Sequence, residues 1–191
     1  VLCITNEELA RKHTYRLMSA ATQIATKNLS NYPKELKTRW SKIKDNLSIL
    51  DGDHMTLGEI EMKIETEKPD IVCVDILDKV PLSGSFARED IRLTELYGQA
   101  RTIAKRHDCV FMGFNQLSAD AEGKHRLNFS MLSGSKTGKA GEADLIILIG
   151  KENVEEGDTN MRWINIVKNK INGRHDNFVC VADTELACFR D

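Results

Sequence analysis

Apolar and polar positions alternate between two rhythms along this chain. Short apolar runs occur at residues 1–4, 47–50, 71–74, 110–114 and 145–149, and such runs predict strands. Between them the spacing becomes helical. Leu9, Leu17, Ala20, Ala21 and Ile24 fall on one stripe behind Asn6, a residue suited to an N-cap, and Asn31, Tyr32 and Pro33 break the pattern. A second amphipathic helix is expected over 34–46, and Asp51, Gly52 and Asp53 form a turn after the strand at 47–50. Thr56 and Glu59 have the capping-box spacing for a helix that ends before Pro69. After a loop at 81–85, Leu93, Leu96, Tyr97, Ala100, Ile103 and Ala104 predict a long helix over 88–106.

Residues 118–142 are rich in Gly, Ser and Lys and show little period, which predicts a long irregular segment. Residues 162–168 and 177–181 read as an antiparallel pair joined near Asn172 and Gly173, with a last short strand at 186–189. Strands that alternate with helices and then give way to hairpins predict an α/β fold. The expected sheet is mainly parallel, flanked by helices, with antiparallel strands at its C-terminal edge. No internal repeat is visible.

The 191 residues suffice for one domain with a sizeable core, and 41% hydrophobic with 29% charged residues is an ordinary globular balance. A net charge of −2 excludes a global basic field, so any nucleic-acid contact must come from local patches. No apolar run approaches the roughly 20 residues of a membrane span, and no signal peptide is seen, so no membrane partner is expected. The 5 cysteines are odd in number and lack metal-site spacing, as expected of reduced thiols in a cytosolic protein. The 5 histidines are scattered, which argues against a zinc site.

Two predicted strands end in a polar residue. Asp75 closes the run Ile71, Val72, Cys73 and Val74, while Asn115 and Gln116 follow Phe114. In parallel α/β sheets ligands bind beyond the carboxyl ends of the strands, so an acid and an amide there suggest a magnesium–nucleotide site. Asp75 could hold magnesium through its water shell or simply cap the next turn. Gln116 could sense a terminal phosphate or cap a loop. Glu7 and Glu8 follow the first strand, where a carboxylate could activate water or merely complement a helix dipole. Residues Ser133, Gly134, Ser135, Lys136, Thr137, Gly138 and Lys139 form a small, basic segment able to meet phosphates, or a solvated linker. They are not a P-loop: Gly134 to Gly138 is one residue too short, and Ala140 follows Lys139. Lys168 and Lys170 share a strand face, with Arg174 and His175 in the turn beyond, either to reach a neighbouring subunit's nucleotide or to protect an edge.

Taken in order, these pieces resemble a known family. A strand followed by Asn6, Glu7, Glu8 and a helix comes first, and then the strand ending in Asp75. Phe114, Asn115, Gln116, Leu117 and Ser118 come next, then Gly134 and Ser135 ahead of Glu142, Ala143 and Asp144, and finally Lys168, Asn169 and Lys170. The set resembles RecA-like ATPases, most closely the hexameric replicative helicases of the DnaB and phage primase-helicase type. The resemblance implies a P-loop NTPase core that uses ATP or another NTP with Mg2+. It implies Glu7 as the water-activating residue with Glu8 as fallback at the nucleotide, Asp75 as the Walker B metal acid, and Gln116 as the phosphate sensor. It also implies Ser133, Gly134, Ser135, Lys136 and Lys139 on single-stranded DNA, and Lys168 with Lys170 or Arg174 at the adjacent subunit's site.

The same resemblance implies a homohexameric ring in the cytoplasm of a bacterium or phage-infected cell, with a primase or helicase loader among its partners. It implies one ATPase domain over 1–191, N-terminally incomplete, because the phosphate-binding P-loop with its strand and helix is expected before residue 1. Lys170 stands where the family usually carries Arg, and Lys lacks the planar fork. Two other readings stay open: a RecA-like recombinase that does not unwind, and a non-catalytic DNA-binding or regulatory module of the same fold.

Overall fold

The computed structural model describes residues 1–151 and 160–190, apart from the side chain of residue 136. The chain divides into two compact units. The first takes residues 1–83, 102–115 and 184–188, and the second takes the rest.

The first unit is built on a parallel sheet of β1 (Leu2–Thr5), β2 (Ser48–Asp51), β3 (Ile71–Asp75) and β4 (Val110–Phe114), in the order β2-β1-β3-β4. Alternation along the strands sends Leu2, Ile4, Val72 and Val74 to one face, where each is at most 1% exposed. The helices are α1 (Ala10–Thr22), α2 (Pro33–Trp40) and α3 (Leu57–Glu67), and α4 (Glu89–Arg106) supplies residues to both units. On α3, Leu57, Ile60 and Ile64 recur at helical spacing and are buried. Its start is the expected capping box: Thr56 Oγ1 accepts from Glu59 N, and Glu59 Oε2 accepts from Thr56 N.

Three local expectations are corrected here. Asn6 does not cap α1. That helix begins at Ala10, whose N–H donates to Asp51 Oδ1 at 2.6 Å, so the cap comes from the tip of β2. Leu9 and Leu17 are exposed, and the buried positions of α1 are Ser19 and Thr22, both hydroxyls bonded to backbone carbonyls. The helix expected over 34–46 is shorter. Pro33 opens it, as suits a residue with fixed φ and no N–H, and α2 stops at Trp40 before a 3-10 turn at Lys44–Asn46.

Gly52 follows β2, and its N–H donates to Thr5 O at 2.7 Å. A Cβ at this position would lie 2.2 Å from Ile4 Cγ2, on a β-branched side chain that is 1% exposed. Gly52→Ala is therefore expected to destabilise the chain by about 1–3 kcal/mol, read as a lowered urea midpoint. An unchanged midpoint would mean that Ile4 can move aside.

The second unit carries an antiparallel sheet of β5 (Leu145–Gly150), β6 (Met161–Asn169), β7 (Asn177–Asp183) and β8 (Cys188–Arg190), in that order, with only the first residue of β8 counted in the first unit. The expected pairing of β6 with β7 is present, and Gly173 takes a φ of 74° in the turn. Residues 118–142 depart from expectation. They form 3-10 turns at Ala119–Ala121 and Phe129–Met131 and a helix, α5 (Lys136–Glu142). Ala121, Leu127, Met131 and Leu132 join Leu148 in a buried cluster. The first four are spread through polar sequence without a period, so this part of the core is invisible to pattern reading. Among the described residues no helix is long and apolar enough to cross a membrane. All five cysteines are free, and Cys3 stands opposite Cys73 across β1 and β3.

Candidate functional site

The strand order of the first unit reverses at β1. The chain passes from β1 to β2 on one side and returns to β3 on the other. Such a reversal opens a crevice outside the carboxyl ends of the two strands, the usual place for a ligand in an open α/β sheet. Here those ends carry Thr5, Asn6, Glu7 and Glu8 after β1 and Asp75 at the tip of β3, with Thr5 opposite Asp75 in register.

Backbone and amide hydrogen bonds tie the two tips together. Asn6 N donates to Asp75 O at 2.7 Å. The Asn6 side chain then clasps the next residue: Nδ2 donates to Ile76 O at 2.8 Å, and Oδ1 accepts from Ile76 N. Thr5 Oγ1 donates to Glu8 O at 2.8 Å, which shapes the turn that presents Glu7 and Glu8. From the tip of β4, Asn115 Oδ1 accepts from Asp78 N at 3.0 Å and steadies the turn after Asp75. Asn6 and Asn115 hold the acids in place, a role that reading the sequence missed. The available signal was a polar amide directly after an apolar strand, twice.

The acids differ in their company. Glu8 faces three basic groups: Arg16 at 2.5 Å, Lys12 at 3.5 Å and His13 at 3.9 Å. The Arg16 guanidinium, ahead of opposing desolvation, holds its carboxyl below the usual carboxylate range. Glu7 is more exposed and meets Lys79 at 3.1 Å. Asp75 has His13 Nε2 3.8 Å from Oδ2. Among the described residues no group of three or more His, Cys, Asp or Glu side chains could hold a metal ion. Magnesium does not need such a group, because it keeps several waters and takes one or two carboxylates plus substrate phosphates. The partly exposed Asp75 at the switch point fits that demand.

The remaining candidates belong to the second unit. Gln116 is exposed and opens the second segment of that unit. Two of the five DNA candidates are internal, which corrects their reading as surface contacts. Ser135 is 6% exposed; its Oγ accepts from Gly138 N to cap α5 and lies 3.2 Å from Thr94 Oγ1. Lys139 is 4% exposed, with its ammonium over the Tyr97 ring at 5.5 Å. The glycines also have a packing reason. A Cβ on Gly134 would meet Leu93 Cδ1 at 2.4 Å, and one on Gly138 would meet Thr94 Oγ1 at 2.0 Å. Ser133 and Gly134 are not buried, and the side chain of Lys136 lies outside the described residues.

Lys168 Nζ donates to the carbonyls of Ala140 and Gly141 at the end of α5. Burial first, then the neighbouring Lys170 charge, lowers its pKa. Lys168 thus serves as a helix C-terminal partner in this chain. Lys170 pairs with Asp144 at 3.4 Å, and Arg101 reaches the same carboxylate oxygen at 3.2 Å. Arg174 is exposed in the β6–β7 turn.

No protein-family model matches the sequence, and no curated protein matches it. Solved structures match in fold. One of them, solved as an ATPase domain, superposes with a TM-score of 0.84 at 19% identity, covering 100% of this chain and 74% of that one. A DnaB-like replicative helicase, solved in a study of its interactions with primase, gives 0.82 at 18% identity, and this chain spans 51% of its length. The RadB recombinase gives 0.57 at 13% identity over 100% of this chain and 78% of that one. These likenesses establish a RecA-like fold, and at such identities they establish the fold alone.

Proposed function

We propose that this chain is a motor ATPase domain that couples magnesium-assisted NTP hydrolysis to movement along single-stranded DNA and to duplex unwinding in replication. The observation that carries this reading is the pair of acids on adjacent strand tips, Glu7 after β1 and Asp75 on β3, locked together by Asn6 at the point where strand order reverses. When bound, magnesium would neutralise phosphate charge and draw in the leaving oxygens. Asp75 would hold its water shell. Glu7 accepts the proton of the attacking water. Glu8 is the poorer base, because Arg16 lowers its affinity for a proton. Gln116, the second residue after β4, is the proposed sensor of the terminal phosphate.

The nucleotide would lie at the interface between copies in a homohexameric ring. The cation reaching across is assigned to Arg174 in preference to Lys170, since Lys170 is engaged by Asp144 and a guanidinium offers a planar fork. Single-stranded DNA would meet the chain through Ser133, Gly134 and Lys136. A primase or helicase loader is the expected further partner, in the cytoplasm.

The test is NTP turnover by the full-length protein with and without single-stranded DNA, followed by strand displacement on a forked duplex. DNA-stimulated turnover with displacement is expected. The likeness to a recombinase favours one second reading, a RecA-like ATPase that does not unwind. Turnover without displacement would select it, and no turnover would leave a non-catalytic module.

A further inference from the structure

His13 stands on the first turn of α1 with its Nε2 shielded from solvent and without a hydrogen-bond partner. A buried polar atom left unpaired costs about 1–3 kcal/mol, and native structures rarely keep one without a reason. This nitrogen points between two carboxylates, 3.8 Å from Asp75 Oδ2 and 3.9 Å from Glu8 Oε2, both just beyond hydrogen-bond range. Carboxylates on both sides favour the tautomer with the hydrogen on Nε2. Glu8 is already held by Arg16 at 2.5 Å. Asp75, at the tip of β3, has no other side-chain cation among the ion pairs of the described residues.

Resting on the proposed hydrolytic role of Asp75, we infer that His13 is a positioning residue. Its Nε2–H would hold one oxygen of Asp75 and thereby turn the other toward the hydrated metal. Groups that orient a metal-side carboxylate in this way typically change metal affinity 10–100-fold when removed. The backbone of Asp75 is fixed independently by Asn6, so His13 sets the carboxylate rotation and not the strand tip.

The test uses Mn2+ as probe with a non-hydrolysable ATP analogue on the full-length protein. Mn2+ affinity is measured by electron paramagnetic resonance and thermal stability in parallel. His13→Leu is expected to weaken Mn2+ binding about 10-fold, and His13→Gln, which keeps a donor at nearly the same reach, to recover most of it. In turnover the same variants should raise the Mg2+ concentration for half-maximal rate more than they lower the rate at saturating Mg2+. Unchanged Mn2+ affinity in His13→Leu, even with lowered thermal stability, overturns the inference and leaves His13 a packing residue. Equal losses in the Leu and Gln variants also overturn it. Absence of analogue-dependent Mn2+ binding in the unsubstituted full-length protein overturns the role of Asp75 itself, and this inference with it.

Discussion

Glu7→Gln is expected to lower NTP turnover about 10²–10⁴-fold, the usual contribution of a positioned general base. The substitution keeps the shape of the side chain and its ability to hydrogen-bond, so nucleotide affinity should change little. Only the capacity to take a proton from water is lost. Single-turnover hydrolysis gives the rate, and titration with a fluorescent nucleotide gives the affinity. Glu8→Gln is expected to cost less, because Glu8 is committed to Arg16 at 2.5 Å. A larger loss in Glu8→Gln than in Glu7→Gln would exchange the two roles. Equal turnover in Glu7→Gln and the unsubstituted chain would remove Glu7 from the chemistry.

Asn165→Ala is expected to destabilise the second unit by at least about 2 kcal/mol. Asn165 lies in the middle of β6 and is 1% exposed. Its Oδ1 accepts from Leu127 N at 3.2 Å. Its Nδ2 donates to His125 O at 3.0 Å, Trp163 O at 3.1 Å and, more weakly, Leu148 O at 3.4 Å. One amide thus satisfies the backbone of the 118–142 segment from within the sheet. Truncation strands the buried Leu127 N–H, and an orphaned buried donor costs about 1–3 kcal/mol by itself. Asn165→Asp should do no better, since it trades the donor for a buried charge with no cation opposite. Urea unfolding followed by Trp163 fluorescence reads the effect. A midpoint equivalent to a loss under about 0.5 kcal/mol would place Asn165 among ordinary surface positions and show that water replaces it.

The same residue explains why the 118–142 segment was hard to read. Ala121, Leu127, Met131 and Leu132 are spaced irregularly, so neither the strand nor the helix period marks them as core. They are buried because Asn165 and Leu148, on strands that follow them in sequence, receive them. Gly134 and Gly138 were equally ambiguous. Glycine in a basic run suits an anion, but here the Leu93 and Thr94 side chains of α4 occupy the space a Cβ would need. Lys139 shows the limit of charge as a guide, since a lysine beside glycines lies 4% exposed over a tyrosine.

By itself the sequence determined the elements whose causes lie within a few residues. The apolar runs became β1, β3, β4 and β5, the Thr56–Glu59 capping box started α3, and Pro33 marked a helix boundary. It also placed an acid at the end of β3 and two acids after β1, which is as much of the candidate site as local pattern can specify. Only the tertiary structure decided what those acids face. Asn6, suited by its local sequence to cap a helix, clasps the backbone of Ile76, 70 residues away, and Asp51 caps α1 from 41 residues away. A side-chain amide or carboxylate bonds whichever backbone groups folding leaves unpaired beside it, and strand pairing across the sheet, not sequence distance, selects them.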